Sequence, residues 1–128
     1  MTVSLRGKIF SGKSEAARFI ELDWVKRQMV EKLGFTPYPG TLNLKLVEES
    51  VEAGRVLKNA EGIEISPTRG FCRGKLFKAI LANDVKCAVV IPEVDGYPEE
   101  VVEVVASANL KEKLKSRDGD EVEIKINF

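Results

Sequence analysis

Thr41 and Asn43 stand two residues apart near the end of Gly34-Phe35-Thr36-Pro37-Tyr38-Pro39-Gly40-Thr41-Leu42-Asn43-Leu44-Lys45-Leu46, and both carry neutral oxygens. If a strand begins at Thr41, the hydroxyl and the amide share one face while Leu42, Leu44 and Leu46 take the other. Two oxygens held side by side can fill part of a hard cation's shell, with a phosphate and waters supplying the rest. The turn before them is stiff, because Pro37 and Pro39 restrict φ and extend the residues that precede them. Gly40 is open to backbone angles closed to other residues. An ordinary Pro-Gly turn into a strand explains the same letters without a metal. The rest of the chain has to decide.

A second candidate is Gly7-Lys8-Ile9-Phe10-Ser11-Gly12-Lys13-Ser14-Glu15-Ala16-Ala17-Arg18-Phe19, laid out as a strand, a small-residue loop and a return strand. Small side chains let successive backbone N–H groups approach phosphate oxygens. Gly7–Ser14 also matches GxxxxGK[ST] in spacing. That motif should open a helix inside a parallel α/β unit, and neither is expected here, so the match is read as accidental.

Histidine is absent from the 128 residues. That excludes the commonest general base, the usual zinc ligand and every Ser-His or Cys-His dyad. Cys72 and Cys87 have no CxxC spacing and read as buried free thiols. Chemistry is left to carboxylates, Lys, Arg, hydroxyls, backbone amides or a hard metal ion. Lys13, Arg18, Arg69 and Arg73 are electrostatic candidates, each with a solvated surface charge as its plain alternative, and no catalytic base is named.

The elements that must position these groups are mostly short strands. Residues 3–10 form a first strand, and Ala17–Leu22 a second strand or extended arm. Asp23 can cap a helix over Trp24–Leu33 that ends at Gly34. Its Val25, Met29 and Leu33 make one apolar stripe, which puts Trp24 and Met29 in the core. Strands follow at Thr41–Val47, Gly62–Ile65, Lys75–Leu81, Val85–Ile91 and Val101–Ala106, with a hairpin turn at Asn83-Asp84. Asn109 precedes a short helix with Glu112 at the capping-box position, and Asp118-Gly119 turns the chain into Glu121–Phe128. Glu48–Ala60 is loop or short helix. Many strands, two short helices and no βαβ alternation point to a closed or nearly closed antiparallel barrel.

Composition agrees with one soluble globular domain over residues 1–128: 44% hydrophobic and 31% charged, with no apolar run long enough to cross a bilayer. Arg6, Lys8 and Lys13 interrupt any signal-like core, so the expected location is cytoplasmic. Lys plus Arg equals Asp plus Glu at 20 each, which gives no bulk positive charge for nucleic acid.

The order of these features resembles the archaeal CTP-dependent riboflavin kinases over nearly the whole chain. The residues that carry the likeness are the strand-loop-strand at Gly7–Phe19, Lys32-Leu33-Gly34-Phe35 and Pro37-Tyr38-Pro39-Gly40-Thr41-Leu42-Asn43-Leu44. Ile91-Pro92, Tyr97-Pro98, Val102-Glu103-Val104-Val105-Ala106, Asn109-Leu110-Lys111 and Asp118-Gly119-Asp120 continue it. The resemblance implies a mostly β, single-domain, cradle-loop β-barrel of six strands. It implies phosphoryl transfer from CTP to the 5′-hydroxyl of riboflavin, giving FMN and CDP, with one Mg²⁺ bound alongside the nucleotide. Its metal ligands fall on Thr41 and Asn43. Its nucleotide contacts fall on Gly12, Lys13, Ser14, Glu15, Ala16 and Ala17, and on Ala108, Asn109, Leu110 and Lys111. Its flavin contacts fall on Asp95 and Glu103.

The sequence departs from the family at three positions: Ser14 and Ala16 replace loop glycines, and Asp95 replaces a threonine. These departures keep open a non-catalytic nucleotide- or flavin-binding barrel module. A small barrel that binds nucleic acid is the third reading, and zero net charge weighs against it. Neither nucleic acid nor membrane is expected as a partner. The oligomeric state is open, with the monomer favoured.

Overall fold

Alternation of apolar residues along short strands leads to a closed antiparallel barrel. The computed structural model describes residues 2–12, 15–66 and 73–128, Glu15 by its backbone alone. Its elements are β1 (Thr2–Phe10), α1 (Glu15–Ile20), α2 (Asp23–Leu33), β2 (Leu42–Leu46), α3 (Glu48–Asn59), β3 (Ile63–Ile65), β4 (Gly74–Leu81), β5 (Val85–Pro92), β6 (Val101–Val105), α4 (Leu110–Leu114) and β7 (Glu121–Asn127). The sheet runs β3-β4-β5-β6-β2-β1-β7, and pairing of β4 with β7 closes six of these strands into a ring. The edge of β4 is shared: Gly74–Leu76 pair with β3, and Ala79–Leu81 pair with β7. The Pro37–Gly40 turn is tied to the end of β6 by Tyr38 N–H donating to the Ala106 carbonyl at 2.8 Å.

Two apolar layers result. Leu5 and Ile9 of β1, Leu42, Leu44 and Leu46 of β2, Phe77, Val104 and Ile124 point into the barrel, where Leu57 of α3 and Leu110 of α4 join them. The outer faces of β4, β5 and β6 present Leu76, Ala88, Val90 and Val105. These are covered by Ala16, Phe19 and Ile20 of α1 and by Val25 and Met29 of α2. Trp24 packs against this outer layer and meets Phe19 edge to face at 5.8 Å.

Three local expectations change. Residues 17–22 are not a strand: Ala16, Phe19 and Ile20 are buried at i, i+3 and i+4, the spacing of a helix face, and Glu15–Ile20 is helical. A helix does therefore follow Gly12-Lys13-Ser14, although the sheet around it is antiparallel and the match to a P-loop stays accidental. The cap of α2 is Leu22, with no side-chain bond. Asp23 instead sits in the first turn, where its charge complements the helix dipole. The third change is at Glu48–Asn59, a full helix whose buried stripe is Ser50, Gly54 and Leu57. Two of those three are small, so counting large apolar residues finds no period.

Small residues there allow close contact. A Cβ on Gly54 would stand 2.6 Å from Leu46 Cδ1, and Ser50 Oγ accepts the Arg6 N–H at 2.9 Å. Other expectations are met. Gly34 ends α2 in the left-handed region at φ 81°, and Gly40 takes φ 93°. Asn109 caps α4 by accepting from the Glu112 N–H at 3.2 Å. The hairpin expected at Asn83-Asp84 is present as a three-residue loop, 82–84, between the paired Leu81 and Val85, with Ala82 and Asn83 at positive φ.

Candidate active site

Side-chain alternation puts Thr41 and Asn43 on the outer face of β2, because Leu42 and Leu44 point into the barrel. Asn43 pairs across the sheet with Glu103 of β6, whose neighbours Val102 and Val104 also point inward. Glu103 is thus on the same outer face, and it is 0% exposed. A carboxylate in the run Val101-Val102-Glu103-Val104-Val105 must find partners, since burying an unpaired charge is costly. It finds three. Tyr97 Oη donates at 2.5 Å and the Ala16 N–H at 3.1 Å, both to Oε2, and Thr41 Oγ1 lies 3.0 Å from Oε1.

Thr41 Oγ1 is also 2.9 Å from Asn43 Oδ1. The Asn43 Nδ2 donates to the Gly12 carbonyl at 3.2 Å, which turns Oδ1 towards Thr41. Three oxygens of three chemical kinds are thereby gathered: hydroxyl, amide and carboxylate. For a metal–oxygen bond of about 2.1 Å, neighbouring ligands of an octahedron stand about 3.0 Å apart. The spacings at Thr41 fit that edge. No group of three or more Asp, Glu or Cys that could hold a metal is found among the described residues. A cation here would be bound mainly by neutral donors, with charge left for phosphate oxygens to supply.

Beside this cluster opens a cleft of about 230 Å³ whose lining includes Gly12, Tyr38, Thr41, Asn43, Asn109 and Lys111. Ala108 and Leu110 line it too, so Gly12, the first residue of one expected nucleotide segment, and the other segment, Ala108–Lys111, share one cleft. They are also tied together. Lys111 Nζ donates to Ser11 Oγ at 2.6 Å and to Asp118 Oδ1 at 2.7 Å, and Ser11 Oγ donates to Asp118 Oδ1 at 2.9 Å. The Lys111 ammonium, and then the Ser11 hydroxyl, hold the Asp118 carboxyl below its ordinary pKa.

Ala16 lies in α1, buried, and is not among the positive-φ residues, so the alanine is compatible with its backbone. Lys13, Ser14, Arg69 and Cys72 lie outside the described residues, as does the Glu15 side chain. Arg18 is exposed on α1, and Arg73 pairs with Glu64 at 3.5 Å. Asp95 sits on an exposed turn with Gly96 at φ 80° and is not part of the cleft lining. Tyr97, two residues on, is the side chain from this turn that reaches Glu103.

Tyr97 was missed from the sequence, together with what holds it. Lys58 of α3 donates to the carbonyls of Pro98 (2.9 Å) and Glu99 (2.7 Å), and its ammonium lies 5.3 Å from the centre of the Tyr97 ring. Burial lowers the Lys58 pKa, against an opposing pull from Glu100. Arg55 of α3 pairs with Glu99 in addition. The signal for Tyr97 was the lone carboxylate at Glu103, which asks for donors. Nothing in the letters says which element brings them.

The model of a family described as a domain of unknown function, DUF120, and labelled CTP-dep RFKase, matches residues 9–126. The chain is 39% identical over 129 residues to a riboflavin kinase of Archaeoglobus fulgidus, covering 98% of this chain and 55% of that protein. It is 43% identical over 133 residues to a riboflavin kinase of Pyrobaculum islandicum, covering 98% and 61%. Against a riboflavin kinase of Ignicoccus hospitalis it is 38% identical over 130 residues, covering 97% and 71%. The chain thus spans between half and two thirds of the length of the first two relatives. By that match over nearly all its residues, the chain belongs to the CTP-dependent riboflavin kinase family.

Proposed function

We propose that this protein transfers the γ-phosphoryl group of CTP to the 5′-hydroxyl of riboflavin, giving FMN and CDP. The observation that carries this reading is the gathering of Thr41, Asn43 and Glu103 oxygens beside a cleft lined by Gly12 and by Ala108–Lys111. Support for the substrates comes from relatives named riboflavin kinase and from the family's label.

Phosphoryl transfer asks chiefly for in-line positioning and charge neutralisation, so a protein without histidine can perform it. Thr41 and Asn43 are the residues that would hold one Mg²⁺, and their 2.9 Å spacing suits neighbouring ligands. When bound with the nucleotide, the ion would neutralise charge on the phosphate oxygens. The backbone of Gly12–Ala17 would line the phosphates, with Ala108–Lys111 beside the rest of the nucleotide. Glu103 would orient the flavin's ribityl chain, and Asp95 would meet the flavin from the exposed turn. In the present arrangement Glu103 accepts the Ala16 N–H. Phosphate could take that amide only if the carboxylate exchanged it for a substrate hydroxyl. The same contact is what favours the alternative, a non-catalytic nucleotide- or flavin-binding barrel, should no exchange occur.

The test is riboflavin phosphorylation with CTP and ATP in parallel, with and without Mg²⁺, reading FMN by chromatography. FMN formed with CTP and Mg²⁺, and poorly with ATP, is the expected result. No FMN from a folded protein that still binds flavin or CTP would transfer the assignment to the binding module.

A further inference from the structure

Away from the cleft, the barrel carries a second cavity of about 510 Å³, more than twice the volume of the first. Its floor is Ile80 of β4, and Leu33 at the end of α2 and Phe35 just after it also line the cavity. Register places Lys86 of β5 and Lys125 of β7 opposite Ile80 on either side, so the three form one row across the sheet. That row spans about 10 Å, two strand spacings. Lys78 is the next outward residue of β4, and all three lysines line the cavity.

Among the described residues, no carboxylate lines this space. Lys125 has one distant acid, Glu123 at 3.9 Å. Among the described residues, no ion pair or side-chain hydrogen bond engages Lys78 or Lys86. With positive and negative side chains equal over the whole chain, three cations around an apolar floor are a local segregation of charge. The volume lies within the range of small-molecule pockets, about 300–1,000 Å³.

We propose that this cavity is a second binding site, for a small phosphate ester with a flat apolar body. The ammonium groups would receive the phosphate, and Phe35, Leu33 and Ile80 the apolar part. Phe35 is two residues before the stiff Pro37–Gly40 turn and six before Thr41, so an occupant would press on the segment that leads into the first site. Two sources offer this chemistry, a flavin phosphate or a nucleotide. Choosing FMN and CTP as probes rests on the kinase reading, while the site itself does not.

Amide NMR on the full chain distinguishes the outcomes. FMN, CTP, riboflavin and inorganic phosphate are each titrated into the protein and into Lys78→Gln/Lys86→Gln/Lys125→Gln. Expected are saturable shifts at Phe35, Ile80, Lys86 and Lys125 with FMN or CTP, weakened about tenfold or more in the triple variant. Riboflavin or phosphate alone should also bind there at least about tenfold more weakly, since each supplies half of the match. FMN acting without CTP identifies a flavin source, and the reverse a nucleotide. Absence of shifts at these residues with both probes overturns the proposal, as do shifts that persist unchanged in the triple variant. Failure of the kinase reading is visible separately, as missing shifts at Thr41 and Asn43.

Discussion

Thr41 has one hydroxyl proton and two oxygens within reach, Asn43 Oδ1 at 2.9 Å and Glu103 Oε1 at 3.0 Å. It can donate to only one at a time. The other contact sets two oxygens against each other, and a cation would relieve it. Asn43→Ala should therefore raise the Mg²⁺ concentration needed for half-maximal turnover by about 10–100-fold. Its stability cost should stay near 1 kcal/mol, the bond to the Gly12 carbonyl. Metal titration of activity beside thermal unfolding checks both, and unchanged Mg²⁺ dependence would remove Asn43 from the metal site. Asp118 gives a pH prediction at the same scale. Lys111 and Ser11 depress its folded pKa below the ordinary 3.8. Its contribution to stability is therefore present above that value and lost as pH falls through the lowered folded value. In acid unfolding, wild type should exceed Asp118→Asn above about pH 4. The two should converge below pH 3.8.

Each element's role at the site follows from what it clamps. α3 neither lines the cleft nor donates to Glu103, yet it holds the loop that carries Tyr97 through Lys58 and Arg55. Lys58→Met removes two bonds to backbone carbonyls and a cation over the ring. Because loop hydrogen bonds are worth about 0.5–1.5 kcal/mol each, losing two should raise the KM for riboflavin by about 5–150-fold. The kcat should change less, and Lys58→Arg should recover part of the loss. A loss confined to thermal stability would make α3 a packing element only. α1 is constrained just as closely: a Cβ on Gly74 would sit 2.5 Å from the Phe19 ring, so β4 and α1 meet where no side chain fits. That contact fixes α1, and with it the Ala16 amide, over the barrel.

For the whole molecule, barrel closure buries groups on both sides of the sheet. Cys87 faces the inner core, and burial pushes its thiol up to about 12 from 9.0. Below pH 9 the thiol is protonated in both folded and unfolded states. Between 9 and 12 the unfolded chain releases a proton that the folded chain keeps, so stability must fall as pH rises. One group gives a slope of about 1.4 kcal/mol per pH unit. Urea unfolding from pH 8 to 11 should show a steeper decline for wild type than for Cys87→Ala. Equal slopes would mean that the thiol is not shielded by the core. At this scale, among the described residues, no helix is long and apolar enough to cross a membrane.

Where side chains report their own periodicity, the letters were sufficient. Alternating leucines predicted β2 and put Thr41 beside Asn43, and Gly34 and Asn109 marked helix ends through their own backbone preferences. Where the buried stripe is made of small residues, the letters were silent: Ser50 and Gly54 hide α3, and Ala16 helps to hide α1. Their burial depends on what lies opposite, Leu46 for Gly54 and the outer sheet face for Ala16. The same reason separates the two halves of the site. Thr41 and Asn43 are neighbours in sequence, so local geometry alone could pair them. Glu103, Tyr97, Ala16 and Lys58 meet only because β2 pairs with β6 while α1 and α3 pack at separate places on the barrel. The sequence by itself determined a mostly β fold, no histidine in its 128 residues, and two oxygens at the head of a strand. Tertiary structure alone decided what surrounds those oxygens, because contacts between distant segments are set by strand register and packing.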